Sequence, residues 1–212
     1  ERHVRWCERE EKVLPTRLRR EGGVVHVNFV EPVRDLDLLD DMLEFLKNKS
    51  QRDFVMVVSQ YYTNLRISDI LRLQVKHVKN LKEIRIREAK TNKLKSIPIY
   101  GQYKSILEDY IQGKKDYEYL FPANGGKNKP ISRQRAYQII KEVAEEFNIP
   151  NIGTHSMRKT FGYHYYNETK DIALLQTIYN HSSPATTLRY IGMNKDRVDD
   201  AYRDMEKKIH IY

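Results

Sequence analysis

Two stretches near the C-terminal end decide how this chain reads. They are Thr154-His155-Ser156-Met157-Arg158-Lys159-Thr160-Phe161-Gly162 and Tyr179-Asn180-His181-Ser182-Ser183-Pro184-Ala185-Thr186-Thr187-Leu188-Arg189-Tyr190. From His155 the steps to Arg158, His181 and Tyr190 are three, twenty-three and nine residues. Thr154 can cap a helix on which His155 and Arg158, three apart, share a face. Pro184 can open a further helix at its first turn. Two basic groups on one helical turn, a second imidazole and a late tyrosine are what phosphoryl transfer to a tyrosine needs. Arg and His hold a phosphodiester's oxygens, and a phenol attacks its phosphorus. Singly these residues say little: a lone His-x-x-Arg is frequently a surface pair, and with fifteen tyrosines any one is more often packing than chemistry. Their order carries the signal.

Upstream, the pattern is mostly helical. Asp35 is an N-cap candidate ahead of Leu38, Leu39, Met42, Leu43 and Leu46, which recur at helical spacing. Residues 51–62 read as a buried helix broken at Asn64, a residue that tolerates a left-handed backbone. A helix started by Ser68 or Asp69 then carries Ile70, Leu71, Leu73 and Val75. From Leu81 the period changes to two. Ile84 and Ile86 alternate with charges, and Ser96-Ile97-Pro98-Ile99 follows a polar turn at Thr91-Asn92, which predicts a β-hairpin with Pro98 at an edge. Helices are expected over 102–112, from Ser132 to about Phe147, over 171–179, and along a charged tail from Lys195 to Lys208. The tail has a thin apolar stripe at Val198, Ala201, Tyr202 and Met205. Residues 121–130 read as a loop. The fold class expected is mainly α with one small antiparallel β-sheet (α+β). Residues 1–31 read as an arm or linker, with a short strand at Val24, Val25, Val27 and Phe29, and residues 32–212 as the main domain.

The formal net charge of +9 favours a polyanionic partner, nucleic acid first. One cysteine, Cys7, rules out an intrachain disulfide, and no Cys/His cluster has zinc spacing. No apolar run reaches the roughly 18–20 residues that span a bilayer. The N-terminus is charged from its first residues and has no signal-peptide core, so a cytoplasmic location, in a bacterial cell or a phage-infected host, is the default expectation.

Two more motifs complete the set: Thr63-Asn64-Leu65-Arg66, with Asp69 three positions on, and Lys90-Thr91-Asn92 at the hairpin tip. Together with His155, Arg158, Asn180-His181-Ser182-Ser183, Thr186-Thr187 and Tyr190, the order and spacing resemble the catalytic domain of the tyrosine recombinases, the phage-integrase family. The resemblance spans about residues 35–195. The family typically has Thr-Gly-Leu-Arg, Lys-Thr-Gly and Leu-Gly-His-Ser-Ser at these places, so this chain substitutes Asn for Gly three times, at Asn64, Asn92 and Asn180. Asn accepts the same backbone region as Gly, and the turns are expected to survive.

The resemblance implies Tyr190 as nucleophile and Arg66 and Arg158 on the phosphate oxygens. His155 exchanges a proton with the phenol, and His181 donates to a non-bridging oxygen. Lys90 protonates the leaving oxygen, with Lys93 the alternative for that role, and Asp69 orients Arg66. It implies no cofactor and no metal, because cationic side chains take the role metal ions play elsewhere. The implied partner is double-stranded DNA, bound by a homo-tetramer, with a monomer as the alternative state of the free protein. Backbone contacts are expected from Lys76, His77, Lys79, Lys93, Lys127, Lys129, Arg133 and Arg135. Members of the family usually carry a helical DNA-clamp domain ahead of the catalytic one. The short segment before residue 32 leaves open a catalytic fragment or a minimal member. A recombinase fold turned DNA-binding regulator, without strand exchange, is the alternative function; a relaxing enzyme with similar chemistry is disfavoured by the Asn-His-Ser-Ser segment.

Overall fold

A computed structural model describes residues 20–21, 24–25 and 30–208 of the chain. The two-stranded hairpin β1 (Arg20–Glu21) and β2 (Val24–Val25) lies in the expected arm. Val27 and Phe29, expected in the same strand as Val24 and Val25, fall outside the described residues. The chain then builds α1 (Leu36–Lys49) and α2 (Gln51–Thr63), two helices hinged on Ser50. Asp35 caps α1 as expected, accepting from the backbone N–H groups of Asp37 and Leu38. Ser50 ends α1 and accepts from Asp53 N at the start of α2. Helix α2 is buried through Val55, Met56, Val57, Val58, Ser59 and Gln60, so it forms the central post of the domain.

Helix α3 (Ile67–Ile70) is much shorter than the expected one. Leu73 and Val75 are still buried, but outside that helix. Leu73 O accepts from Leu120 N, and Val75 N and Lys76 N donate to Glu118 O and Asp116 O. Pairing with a distant segment satisfies the backbone here and pulls the helix out, leaving one 3-10 turn at Val75–His77.

The hairpin is where the period of two places it: β3 (Glu83–Arg87) pairs antiparallel with β4 (Leu94–Pro98), with Ile84 opposite Ile97 and Ile86 opposite Lys95. Pro98 sits at the strand end, opposite Glu83. Helices α4 (Gly101–Ile111) and α5 (Arg133–Glu146, capped by Ser132) close the main core. The final stretch is α6 (Ser156–Thr169), α7 (Ile172–Tyr179), α8 (Pro184–Tyr190) and α9 (Met193–Glu206). Thr154 is not the cap of α6. The helix begins one residue later, and His155 occupies the cap position without a side-chain cap bond. The α6 start is held instead by Ser156, whose hydroxyl accepts from Gly153 N and donates to Glu31 O.

Apolar packing divides in two. One core runs through α1, α2, the β3–β4 hairpin, α4, α5 and Met157. A satellite of Leu175, Tyr179 and Ile191, flanked by Phe161, Tyr165 and Tyr190 among others, joins α6, α7 and α8. Gly162 lets α6 approach this satellite: a Cβ there would lie 2.2 Å from the Tyr179 hydroxyl. Helix α9 buries no residue, and Val198, Tyr202 and Met205 are exposed. Its start is tied down by Asp196, which accepts from Arg34. Residues 30–34 form a strap along α6: Val33 N donates to Thr160 Oγ1, and Lys159 Nζ donates to Val30 O. No helix among the described residues is long and apolar enough to cross a membrane.

Candidate active site

Six residues from five separate places were expected to converge. Three asparagines shape the turns that bring them in. Asn64 (φ 52°), Asn92 (φ 56°) and Asn180 (φ 55°) all adopt the left-handed backbone that a glycine supplies elsewhere. Asn64 ends α2, so the chain reverses and Arg66 stands at the cap of α3. Asn92 closes the 88–93 turn, where Asn92 N donates to Glu88 O. Asn180 ends α7 and releases the chain into His181.

Arg158 is the centre of the cluster. Its side chain comes off the first turn of α6 and the residue is 2% exposed, yet Nε and Nη1 find no hydrogen-bond partner among the described residues. Nη2 donates over 3.4 Å to Tyr179 O, and the Tyr179 hydroxyl donates over 2.7 Å to Arg158 O. The Tyr179 ring also packs 4.9 Å from the guanidinium. A buried cation with idle donors is costly unless an anion completes it.

Tyr190 is beside it. Its ring centre lies 5.9 Å from the Arg158 guanidinium carbon and 5.0 Å, edge to face, from the His181 ring. Its hydroxyl is 3.5 Å from His155 Nδ1, at the long end of hydrogen-bond reach. Burial raises the phenol above its usual value near 10, while Arg158 and Arg66 pull the other way. His155 is exposed as a whole residue. Desolvation of its imidazole by the groups packed around it, then the positive charges of Arg158, Lys159, Arg66 and Lys90, push it down to about 4. A neutral imidazole beside a protonated phenol is the pairing a base and its acid require. His181 is held by Thr187 Oγ1, 3.1 Å from its Nδ1, which fixes its ring against Tyr190.

Arg66 lies within the same electrostatic cluster, but Asp69 does not orient it. Asp69 Oδ1 accepts instead from Ala89 N, one residue before Lys90, at 2.9 Å, and from Arg72 at 3.5 Å. The carboxylate on Arg66 is that of Glu88, which accepts from Nη1 at 2.9 Å. The one-turn length of α3 explains the exchange: Asp69 points at the hairpin, and the hairpin returns a carboxylate of its own. Lys90 is exposed and makes no hydrogen bond or ion pair among the described residues, whereas Lys93 Nζ donates to Asn180 Oδ1 at 2.6 Å. The two lysines that the sequence left as alternatives are therefore in different states, one free and one engaged.

Comparisons with known proteins bear on this arrangement. Residues 35–197, well over half the chain, match the model of the phage integrase family. The chain belongs to the phage integrase family. Among curated relatives it is 44% identical over 177 residues to the probable integrase/recombinase YoeC of Bacillus subtilis (strain 168), covering 84% of this chain and 97% of that protein. It is 29% identical over 172 residues to the tyrosine recombinase XerC of Herpetosiphon aurantiacus, covering 75% of this chain and 55% of the relative, so it spans about half the length of the XerC proteins it matches. The fold resembles that of the crystal structure of XerA recombinase, with a TM-score of 0.65 at 21% identity, over 86% of this chain and 67% of that one. It also resembles XerH recombinase in a post-cleavage complex with difH, with a TM-score of 0.63 at 20% identity, over 84% and 54% of the two chains. The family places the chain in the class of tyrosine-type site-specific recombinases and matches the expected mainly α fold with its small hairpin.

Three residues at the site were not singled out by sequence reasoning. Glu88 is 5% exposed. Lys95 Nζ donates to Ile178 O at 3.1 Å, near the C-terminal end of α7. Burial, and then Arg158, push its ammonium down to about 8. Lys159 lies 5.2 Å from the Tyr190 ring centre. Strand alternation was the available signal for the first two. Ile84, Ile86 and Glu88 share one face of β3 and its extension, and Ile99, Ile97 and Lys95 share one face of β4. A charge on the buried face of a strand asks for a partner.

The backbone-contact candidates separate by charge state. Lys79 pairs with Asp116 at 2.7 Å and Arg135 with Glu142 at 2.8 Å, so both are partly neutralised. Lys76, Lys127, Lys129 and Arg133 are exposed and have no ion pair among the described residues. His77 accepts from Gln74 N on Nδ1 and caps its own 3-10 turn, a structural task. Among the described residues, no three His, Cys, Asp or Glu side chains gather as a metal-ligand group.

Proposed function

We propose that this chain cuts and rejoins DNA strands at specific sites through a covalent 3′-phosphotyrosyl intermediate. The observation that carries the reading is the buried Arg158 guanidinium, with two idle nitrogens, packed against Tyr190 whose hydroxyl faces a neutral His155. Arg158 and Arg66 hold the non-bridging oxygens of one phosphodiester, and His181 adds a third donor. The Tyr190 oxygen attacks phosphorus as its proton passes to His155. The bond to the 5′-oxygen breaks, and Lys90 gives that oxygen a proton. A tyrosine–phosphate ester and a free 5′-hydroxyl result, with charge and protons balanced. Fixed cationic donors stabilise the charge that builds on the equatorial oxygens. The ester keeps the energy of the broken bond, so a 5′-hydroxyl from another strand can reverse the step.

The engaged state of Lys93 favours Lys90 as the proton donor. The exposed Lys76, Lys127, Lys129 and Arg133 are assigned to the DNA backbone. The same reading takes residues 32–212 as the catalytic domain and residues 1–31 as an arm. It has four copies acting together on two DNA sites, in the bacterial cytoplasm where such DNA lies.

The test is covalent trapping. The protein is mixed with nicked suicide duplexes drawn from the sequence flanking its own gene and run on a denaturing gel. A shifted band that vanishes in Tyr190→Phe supports the reading. DNA binding without an adduct supports a regulator that has kept the fold and lost strand exchange.

A further inference from the structure

Glu88 presents a physical contradiction. A site assembled to receive a phosphate holds a buried carboxylate beside the cations meant for it. Its surroundings are the Arg66, Lys95 and Arg158 charges and the Thr91 hydroxyl. Burial alone would raise its pKa, but Thr91, Arg66, Lys95 and Arg158 outweigh that and hold it below the usual carboxylate range, so it is an anion at neutral pH. An anion there repels the substrate. Packing does not require it, since the face it continues is apolar at Ile84 and Ile86. Apolar replacement of buried ion pairs is often neutral or stabilising.

Its two oxygens have two different partners. Oε1 accepts from Arg66 Nη1 at 2.9 Å, and Oε2 accepts from the Thr91 hydroxyl at 2.7 Å. Thr91 follows Lys90 in the same turn, and that turn is closed over Glu88 by Glu88 N to Lys93 O and Asn92 N to Glu88 O. One carboxylate therefore joins the arginine at the start of α3 to the turn that carries the free lysine. It takes one arm of a guanidinium that has five N–H donors, so others stay available to an oxyanion.

We propose that Glu88 is a positioning residue for the cleavage reaction, locking the Arg66 guanidinium to the Lys90 turn so that the phosphate clamp and the leaving-group proton donor move as one unit. The assignment rests on the cleavage reading above. It accounts for the carboxylate's place: the repulsion it brings is offset by fixing two donors before DNA arrives, which lowers the reorganisation left for the transition state.

The experiment is a double-mutant cycle on the rate of adduct formation with saturating nicked suicide duplex. It compares wild type, Glu88→Ala, Arg66→Lys and the double variant, with Glu88→Gln, Thr91→Val and Tyr190→Phe alongside. Misplacing a donor by about 1 Å costs roughly 10²-fold, so Glu88→Ala is expected to slow adduct formation by about that factor while the DNA dissociation constant stays within about threefold. The double variant is expected to be no slower than Arg66→Lys, because the carboxylate acts through the guanidinium. Glu88→Gln can keep the Arg66 bond on its amide oxygen and reverse the Thr91 bond, its amide nitrogen donating to Thr91 Oγ1, and so recovers most of the rate; should Glu88→Ala fail to fold, this variant and Thr91→Val, which cuts one link alone, carry the test. Additive losses, or Glu88→Ala and Thr91→Val at the wild-type rate, overturn the assignment while the cleavage reading stands. A wild type that forms no Tyr190-dependent adduct overturns both.

Discussion

The two halves of the candidate site are built from different material. Arg66, Glu88 and the Lys90 turn sit on the main core, where α2 is buried on nearly every face and Leu65, Ile70 and Ile84 have no exposure at all. His181 and Tyr190 sit on a satellite whose fully buried members are Leu175, Tyr179 and Ile191, followed by an α9 that buries nothing. Local stability follows buried contact, so the two halves differ in how cheaply they open. On the proposed function the difference teaches a division of labour: the donors are fixed in advance, and the proposed nucleophile is carried on the part of the fold that can rearrange. Arg158 joins the two, rooted in α6 beside the core residue Met157 and packed on Tyr179 of the satellite.

The comparison can be broken at that joint. Arg158→Ala removes the buried guanidinium proposed as an oxyanion donor, and loss of one such donor typically costs about 10²–10³ in rate. Adduct formation should fall by at least that factor, with DNA affinity changing far less. Arg158→Lys should recover little, because a point charge does not reproduce the guanidinium fork. Gly162→Ala comes next. Its new methyl would meet the Tyr179 hydroxyl at 2.2 Å and Ile191 at 2.8 Å, so the satellite must move away from α6. Overpacking of this kind costs roughly 1–3 kcal/mol. Thermal unfolding and trapping should both register the loss, while the β3–β4 hairpin keeps its native amide protection.

The halves are also tied by two lysines, Lys93 to Asn180 and Lys95 to Ile178 O. Removing both charges, as Lys93→Ala with Lys95→Met, gives up about 1 kcal/mol per hydrogen bond. Amide exchange in α7 and α8 should then speed up by roughly 30-fold, with α2 unchanged. Equal acceleration in both places would show that the molecule opens as one unit and that the division is not real.

A smaller effect is expected from pH. His155 is pushed down to about 4 in the fold, against about 6.5 when unfolded. Between those values the unfolded chain binds a proton that the folded chain refuses, so stability rises with pH through this window. It is fully present above pH 6.5 and lost progressively as pH falls toward 4. Urea midpoints measured from about pH 4 to 7 should show this slope, and His155→Phe should flatten it. The smallest change is Lys129→Ala, which should lower the salt dependence of DNA binding by about one counterion and leave site preference alone.

Much of this was legible in the sequence. The turns were readable because Asn64, Asn92 and Asn180 stand where the family has glycine, and each holds the left-handed backbone that requires such a residue. The helix starts at Asp35, Ser132 and Pro184 were readable for the same local reason. What escaped was long-range. Helix α3 stops at Ile70 because a segment 40 to 47 residues on supplies the backbone partners of the chain that follows, and no local pattern announces that. Asp69 was expected to orient Arg66 because the resemblance implies an acidic residue in that role three positions after the arginine, while Glu88 reaches the guanidinium across the fold. Thr154 lost the cap of α6 to a start one residue later, and that shift is what leaves the His155 side chain available to Tyr190.

The most direct test is to identify the residue that becomes joined to DNA. The trapped adduct is digested with protease and nuclease, and the modified peptide is sequenced by mass spectrometry. The account predicts a nucleotide remnant on Tyr190 and on no other tyrosine. A remnant on Tyr163, Tyr165 or Tyr166, or DNA that is cut with no covalent remnant at all, would contradict it.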